Sequence, residues 1–508
     1  LEGGANGVAL TVNFNGQANA SVAQEVLRAV TYIHTSERPS ADDKVLGVQV
    51  ADGDGGISLL VSKLILMTPV NDAPTLNTAL TPKLRAIPED SLSPPGALIS
   101  SFLKGAFFDP DQSGFSGIAV VGVDLTNGIW QYSNDDGATW RGIAARSEAS
   151  AKVLPAWYRL RFVPNPDFNG KTTITYRGWD QSQFAPASNV DLTGRLGGAN
   201  PFSIEVEEAV HFISGVNDAP VLNTALSPTL GSIPEEAPNP PGVTVWKLID
   251  GAITDIDANS KKGIAIVGAT AQGTWQFMLK GSSIWKNMGE LFESSALLLP
   301  ADAQVRFLPK LNFNGTVTLS YRAWDRTGLG VAGDKLNIFN ANGGTTAFSV
   351  DKESASLTVT PVNDAPVLAL GPTVGYPKDT PPIALASGGT VADVDSANFD
   401  GGQLRVRMGI GAGSTNRLLI AGAFTVDANN NVFIGTTNIG QRTSNGFGTN
   451  ELVVTLNANA TKATVQNLLR SIYFKTVGGT VGTRTAIFSV SDGDGGLSPE
   501  VSKTIDIT

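Results

Sequence analysis

Residues 71–96 read NDAPTLNTALTPKLRAIPEDSLSPPG, and residues 217–242 read NDAPVLNTALSPTLGSIPEEAPNPPG. The second stretch starts 146 positions after the first, and Asn-Asp-Ala-Pro returns after another 146, at 363–366. Residues 160–180 (LRFVPNPDFNGKTTITYRGWD) likewise match residues 305–325 (VRFLPKLNFNGTVTLSYRAWD). Self-similarity at a fixed period is the signature of a repeat architecture, and it outranks any local reading. Residues 71–216 and 217–362 are therefore expected to be two copies of one module, type A.

Residues 363–508 differ and are assigned to a second type, B. Their later part, LVVTLNANATKATVQNLLRSIYFKT (452–476) and then FSVSDGDGG (488–496), resembles the start of the chain. There one reads ALTVNFNGQANASVAQEVLRAVTYIHT (9–35) and VQVADGDGG (48–56). Residues 1–70 are thus expected to be the C-terminal half of a type B module. The chain begins at Leu1, which reads as a cut within a longer protein. A half-sandwich leaves sheet edges unpaired, so residues 1–70 are expected to be the least stable part.

The coarse secondary structure is β. Residues 118–123, 160–163, 172–177, 317–321 and 452–456 are short runs of β-branched and aromatic residues. Gly, Pro, Asn and Asp punctuate them, and the 56 Gly and 28 Pro imply many tight turns. Short strands separated by turns predict Greek-key sandwiches. Residues 22–30 and 463–472 carry apolar side chains at helical spacing and predict one short helix per type B module.

Composition narrows the function. The apolar fraction of 42% can build cores, and the net charge of −10 argues against nucleic acid, whose phosphates call for Lys and Arg. Cysteine is absent, which removes disulfides, thiolate metal sites and cysteine nucleophiles. The two histidines, His34 and His211, fall in different modules and read as surface or strand residues. No apolar run reaches the ~18 residues of a membrane span.

Acidic residues recur at matching places. Type A has Glu89, matched by Glu235, then Asp109 and Asp111, matched by Asp255 and Asp257. Asp180 and Asp325 follow a tryptophan late in each copy. Type B has Asp393, Asp395 and a late Asp492, and the half module keeps Asp52 and Asp54 of the last motif. Each Asp-x-Asp reads equally as a turn or as a ligand pair. The whole set in one order favours a cation, and flexible oxygen-rich loops suit Ca²⁺ better than Mg²⁺. Carboxylates repeated per module point away from a catalytic pair, which would occur once.

PVNDAP, FVPNPDFNG and YRGWD resemble the hallmarks of bacterial cadherin-like repeats of giant surface adhesins. The resemblance implies an all-β rod of tandem Greek-key sandwich modules, cadherin- or immunoglobulin-like, with Ca²⁺ stiffening each junction. It implies ligands Asn71, Asp72, Asp109, Asp111 and Asp180 at the first junction. At the second it implies Asn217, Asp218, Asp255, Asp257 and Asp325, with Glu89 from the module before. At the third it implies Asn363, Asp364, Asp393, Asp395 and Asp492, with Glu235 from the module before. The Asp-Arg-Glu motif of animal cadherins has no counterpart here, and the linker is shorter than theirs. One or two ions per junction are expected in place of three.

The expected role is an extracellular stalk or adhesion array on a bacterial surface, with no catalytic site. Its partners would be neighbouring modules of the same or identical chains, and a cell-surface glycan or protein. A self-assembling filament, sheath or surface layer is the alternative. A carbohydrate-binding array ranks below both; Trp140 and Trp285, beside turn-like sequence, are its candidate platforms.

Overall fold

The structure, a computed structural model, describes residues 3–5, 7–111, 114–328 and 330–508. It divides into two compact units, residues 1–216 and 217–508. Both are all-β, built of packed sheets with a few short helices.

In the first unit, a six-stranded sheet runs Asn189–Val190, Ala151–Pro155, Gly117–Val123, Gly170–Trp179, Glu207–Ser214, Lys83–Pro88. A four-stranded sheet runs Ala97–Leu98, Arg159–Pro164, Gly128–Ser133, Arg141–Gly142. Sheet neighbours are mostly not sequence neighbours, so the chain crosses repeatedly between layers, as a Greek key requires. The first strand of the large sheet, Lys83–Pro88, pairs parallel with the last, Glu207–Ser214. That pairing ties the start of the sandwich to its end.

Alternation along Gly170–Trp179 buries Thr172, Ile174 and Tyr176. Ile174 and Tyr176 join Trp130, Phe162 and Leu160 in the main core. The other face of the large sheet carries a second, smaller core around Trp179 and Phe202. Burial of each large side chain stabilises by about 1.5–3 kcal/mol.

The second unit repeats this arrangement. Its six-stranded sheet contains Thr229–Pro234, Glu353–Thr360, Gly315–Trp324 and Gly263–Ala269 in that order, again with a parallel first pair. Trp324 and Phe348 form the second small core. The unit also holds an eight-stranded sheet, from Val374–Tyr376 to Phe424–Val426, facing a three-stranded one of Ile383–Ala384, Ile472–Thr476 and Asn416–Ile420.

The predicted helices form as Ala20–Ala29 and Lys462–Arg470. The second ends earlier than the 463–472 pattern suggested, because Ile472 is drawn into the strand Ile472–Thr476. Lys462–Arg470 buries Val465, Leu468 and Leu469, whereas Ala20–Ala29 buries nothing. Helices are not confined to type B sequence, as the sequence pattern had suggested. Ile99–Leu103 and Val245–Ile249 are single turns anchored by Ile99, Phe102, Leu103 and by Val245, Leu248, Ile249.

Candidate metal centres

Each Asn-Asp-Ala-Pro is fastened to the neighbouring Asp-x-Asp by a short ladder. Thr75–Leu76 pairs with Phe107–Phe108, one step before Asp109. Val221–Leu222 pairs with Ile253–Thr254, one step before Asp255, and Val367–Ala369 with Thr390–Ala392, one step before Asp393. The late aspartates arrive differently. Asp180, Asp325 and Asp492 each follow the last residue of a long central strand, which ends beside the linker.

The same hydrogen bonds then recur three times. Asp72 N–H donates to Asp111 Oδ2 at 2.7 Å, Asp218 N–H to Asp257 Oδ2 at 2.8 Å, and Asp364 N–H to Asp395 Oδ2 at 3.0 Å. Asn71 Nδ2 donates to Asp180 Oδ2 at 2.8 Å, Asn217 Nδ2 to Asp325 Oδ2 at 3.0 Å, and Asn363 Nδ2 to Asp492 Oδ2 at 2.8 Å. Within each Asp-x-Asp the second N–H donates to the first carboxylate: Asp111 to Asp109 at 2.9 Å, Asp257 to Asp255 at 2.9 Å, Asp395 to Asp393 at 3.3 Å. The asparagine thus spends its amide N–H on a carboxylate, which turns its Oδ1 into the atom available to a cation.

The carboxylates are crowded and partly dry. Asp109, Asp180, Asp325, Asp393 and Asp492 are buried. Burial pushes the Asp180 carboxyl above its ordinary range, against the N–H of Ser182 and the Asn71 amide, and the Asp109 charge adds to the push. Burial raises Asp393 as well, with Asp395 beside it. Oδ2 of Asp255 and Oδ2 of Asp393 are buried without a hydrogen-bond partner. A buried, unpaired carboxylate oxygen is costly unless a cation meets it. An oxygen-only donor set of carboxylates, asparagine amides and backbone carbonyls fits Ca²⁺.

The two glutamates lie beside the residues that precede the next Asn-Asp. Glu89 is buried and accepts from Val216 N–H at 2.6 Å and Asn169 Nδ2 at 2.9 Å. Glu235 accepts from Val362 N–H at 2.7 Å and Asn314 Nδ2 at 3.1 Å. Each glutamate therefore grips the residue immediately before the next Asn-Asp. Asn169 and Asn314, from the repeated Phe-Asn-Gly, were missed as site residues. The carbonyls of Gly198 and Gly344, which receive Ala73 N–H and Ala219 N–H at 2.7 Å each, were missed too.

Trp140 and Trp285 have other work. Arg161 stacks 4.0 Å from the Trp140 ring and Arg306 4.2 Å from the Trp285 ring. Nε of these arginines donates to Gln131 at 2.7 Å and Gln276 at 2.8 Å. A Cβ on Gly96 or Gly242 would lie 2.5 Å from the tryptophan ring edge, so the Pro-Pro-Gly turn closes directly on it. The rings latch that turn to the four-stranded sheet.

No protein-family model matches the chain, and no curated protein matches it. Among solved structures it is similar to human mucin-like protocadherin EC1-2, at 12% identity over 57% of this chain and 98% of that one, TM-score 0.26. It is similar to Drosophila N-cadherin EC1-3 at 11% identity over 84% and 98%, TM-score 0.17. Zebrafish RET cadherin-like domains 1 to 4 match at 8% identity over 77% and 66%, TM-score 0.19. The sandwich fold rests on the sheets themselves.

Proposed function

We propose that this chain is a calcium-stiffened array of adhesion-type repeats from the stalk of a large bacterial surface protein. One observation carries the reading: the constellation of linker Asn-Asp, Asp-x-Asp and late-strand Asp is built three times with the same hydrogen bonds. A repeated site serves a repeated task, and the task common to all copies is holding a short proline-ended linker.

Ca²⁺, when bound, supplies positive charge and a demand for six to eight oxygens. The residues of this chain do the rest. Asn363, Asp364, Asp393, Asp395 and Asp492 present oxygens around the third linker, and Glu235 fixes the residue before it. The corresponding sets of Asn71, Asp72, Asp109, Asp111 and Asp180, and of Asn217, Asp218, Asp255, Asp257 and Asp325 with Glu89, serve the other two. Binding adds about 1–3 kcal/mol per site when calcium is roughly 10–100 times the dissociation constant. That is small against a sandwich core and sufficient to bias a linker. Calcium is therefore expected to act on flexibility while the modules stay folded.

Small-angle X-ray scattering with calcium and then with chelator tests this. The expected result is a broader distribution of interatomic distances after chelation, with unchanged circular dichroism. Profiles that superimpose would refute calcium stiffening, and very large particles in calcium would favour a self-assembling filament.

A double replacement, Asp393→Ala with Asp395→Ala, is a finer probe. It should cancel the calcium-dependent protection of residues 361–366 in hydrogen exchange and leave residues 71–74 responsive. Loss of all structure in 363–508 would count against a role limited to the linker.

A further inference from the structure

Of the eight tryptophans, Trp157 and Trp246 stand exposed, at 53% and 47%; the others are buried or half-buried. The two do not correspond in sequence. Trp157 matches Asp302 in the second type A copy, and Trp246 matches Ser100 in the first. The fold brings these two positions together. Trp157 and Asp302 lie in the same tight turn, closed by Tyr158 N–H to Pro155 O and by Ala303 N–H to Pro300 O at 3.0 Å each. Ser100 and Trp246 lie in the helical turns Ile99–Leu103 and Val245–Ile249. Ser100 N–H donates to Ala156 O at 2.8 Å and Trp246 N–H to Ala301 O at 2.7 Å, next to the turn residue in each case. Each copy therefore carries one exposed indole at the same place, beside a small polar residue, and supplies it from opposite sides.

An ion pair follows the same rule. Arg159 alternates with buried Tyr158 and so shares the outer face with Trp157. Its Nε donates to Asp136 Oδ1 at 2.5 Å. In the second copy Asp302 itself meets Lys280, with Nζ 3.5 Å from Oδ2. Asp136 and Lys280 come from matching loops, 134–139 and 279–284. The loop gives the acid in one copy and the base in the other, and Asp136, Lys280 and Asp302 are all exposed.

Core packing does not account for rings left in water at a repeated place. Each exposes on the order of 100 Å² of indole, far below the roughly 800 Å² per partner of a stable protein interface. The area suits one sugar ring. The Tyr158 ring meets Trp157 at 83°, so it does not lie flat over the indole. The C–H face of a pyranose stacks on such a ring. Its hydroxyls both donate and accept, which an acid and a base side by side satisfy together. A pair carrying both signs demands no charge of the ligand.

We propose that each type A copy binds a neutral carbohydrate on this indole, Trp157 in residues 71–216 and Trp246 in residues 217–362, with the adjoining ion pair hydrogen-bonded to the ring hydroxyls. The repeats then hold glycan along their own length, which a stiffened stalk alone does not require.

Native affinity electrophoresis of the full chain tests this, in gels carrying xyloglucan, galactomannan, laminarin or dextran, with polygalacturonate as the anionic comparison. Chelator is present throughout, so the outcome is independent of the calcium reading. At least one neutral polymer should retard the chain more than polygalacturonate does. Trp157→Ala and Trp246→Ala should each weaken the apparent affinity at least about 10-fold, because one of two linked sites is lost. The double alanine replacement should abolish retardation. Trp157→Tyr with Trp246→Tyr keeps a flat ring and should retain most of it, whereas Trp157→Leu with Trp246→Leu should not. Circular dichroism should be unchanged throughout, since both rings lie on the surface. Failure of every neutral polymer to retard the chain, undiminished retardation of the double alanine variant, or equal retardation of the Tyr and Leu variants would overturn the inference. So would strongest retardation by polygalacturonate.

Discussion

Asp492→Ala is expected to lower the unfolding free energy of the 363–508 region by about 3 kcal/mol in the absence of calcium. Asp492 is fully buried at the end of Gly482–Ser491. Its Oδ1 accepts from Asp494 and Gly496 N–H at 2.8 and 2.9 Å, and its Oδ2 from Asn363 Nδ2 at 2.8 Å. Alanine leaves three donors without their acceptor, and each costs about 1 kcal/mol or more. Gly496 shows how closely the loop wraps this carboxylate, since a Cβ there would lie 2.1 Å from Asp492 Oδ2.

Asp492→Asn separates the structural role from the ionic one. Its carbonyl oxygen keeps the two loop hydrogen bonds, so most stability should remain, while the calcium response of the third linker disappears. Asp52→Ala is the matching replacement in the earlier Asp-Gly-Asp-Gly-Gly stretch. Asp52 makes the same two loop bonds but lies exposed, so water replaces it at a cost below about 1 kcal/mol. Urea unfolding followed by segment-resolved hydrogen exchange measures all three. Equal losses from Asp492→Ala and Asp52→Ala would show that burial of this loop contributes nothing.

The second large effect is acid destabilisation of residues 71–216 through His211. This side chain lies in the middle of Glu207–Ser214, between Thr172 and Leu84 on the flanking strands. Its ring packs 6.1 Å from that of Trp130, and Nδ1 has no hydrogen-bond partner. Burial pushes its pKa down to about 4, only partly opposed by the backbone of Leu84. The folded form therefore binds a proton less readily than the unfolded chain. The contribution of this histidine to stability is full above the unfolded value of about 6.5, falls as pH drops below it, and is fully lost below about 4.

The loss is on the order of 2–3 kcal/mol by pH 4.5. The corresponding position in the second type A copy is Leu357, in Glu353–Thr360, which has no such titration. His211→Leu should flatten the pH response of residues 71–216, and the difference between the two proteins isolates the histidine from the carboxylates that titrate alongside. Parallel pH curves for the two would refute the assignment.

Much of this architecture is legible in the sequence because the repeats test one another. The strand at 452–456 falls where the run of β-branched residues places it, and 118–123 gains only Gly117. Helix ends were less legible, since Asn19 and Thr461 set the starts through cap hydrogen bonds while tertiary pairing claimed Ile472. The helical turns at Ile99–Leu103 and Val245–Ile249 are too short to display a 3.6-residue period. Of the acidic set, the carboxylates were readable from recurrence alone. Asn169 and Asn314 were not, because asparagine before glycine reads as a turn. The carbonyls of Gly198 and Gly344 carry no side-chain signature at all.

Isothermal titration of the full chain with calcium tests the central claim most directly. The account predicts saturable binding in the roughly 10⁻⁵–10⁻³ M range, at one ion or more for each of the three Asn-Asp linkers. It also predicts that the stoichiometry falls by one linker's share in the Asp393→Ala, Asp395→Ala chain. A titration with no saturable binding in that range, or one unchanged by the double replacement, would contradict it.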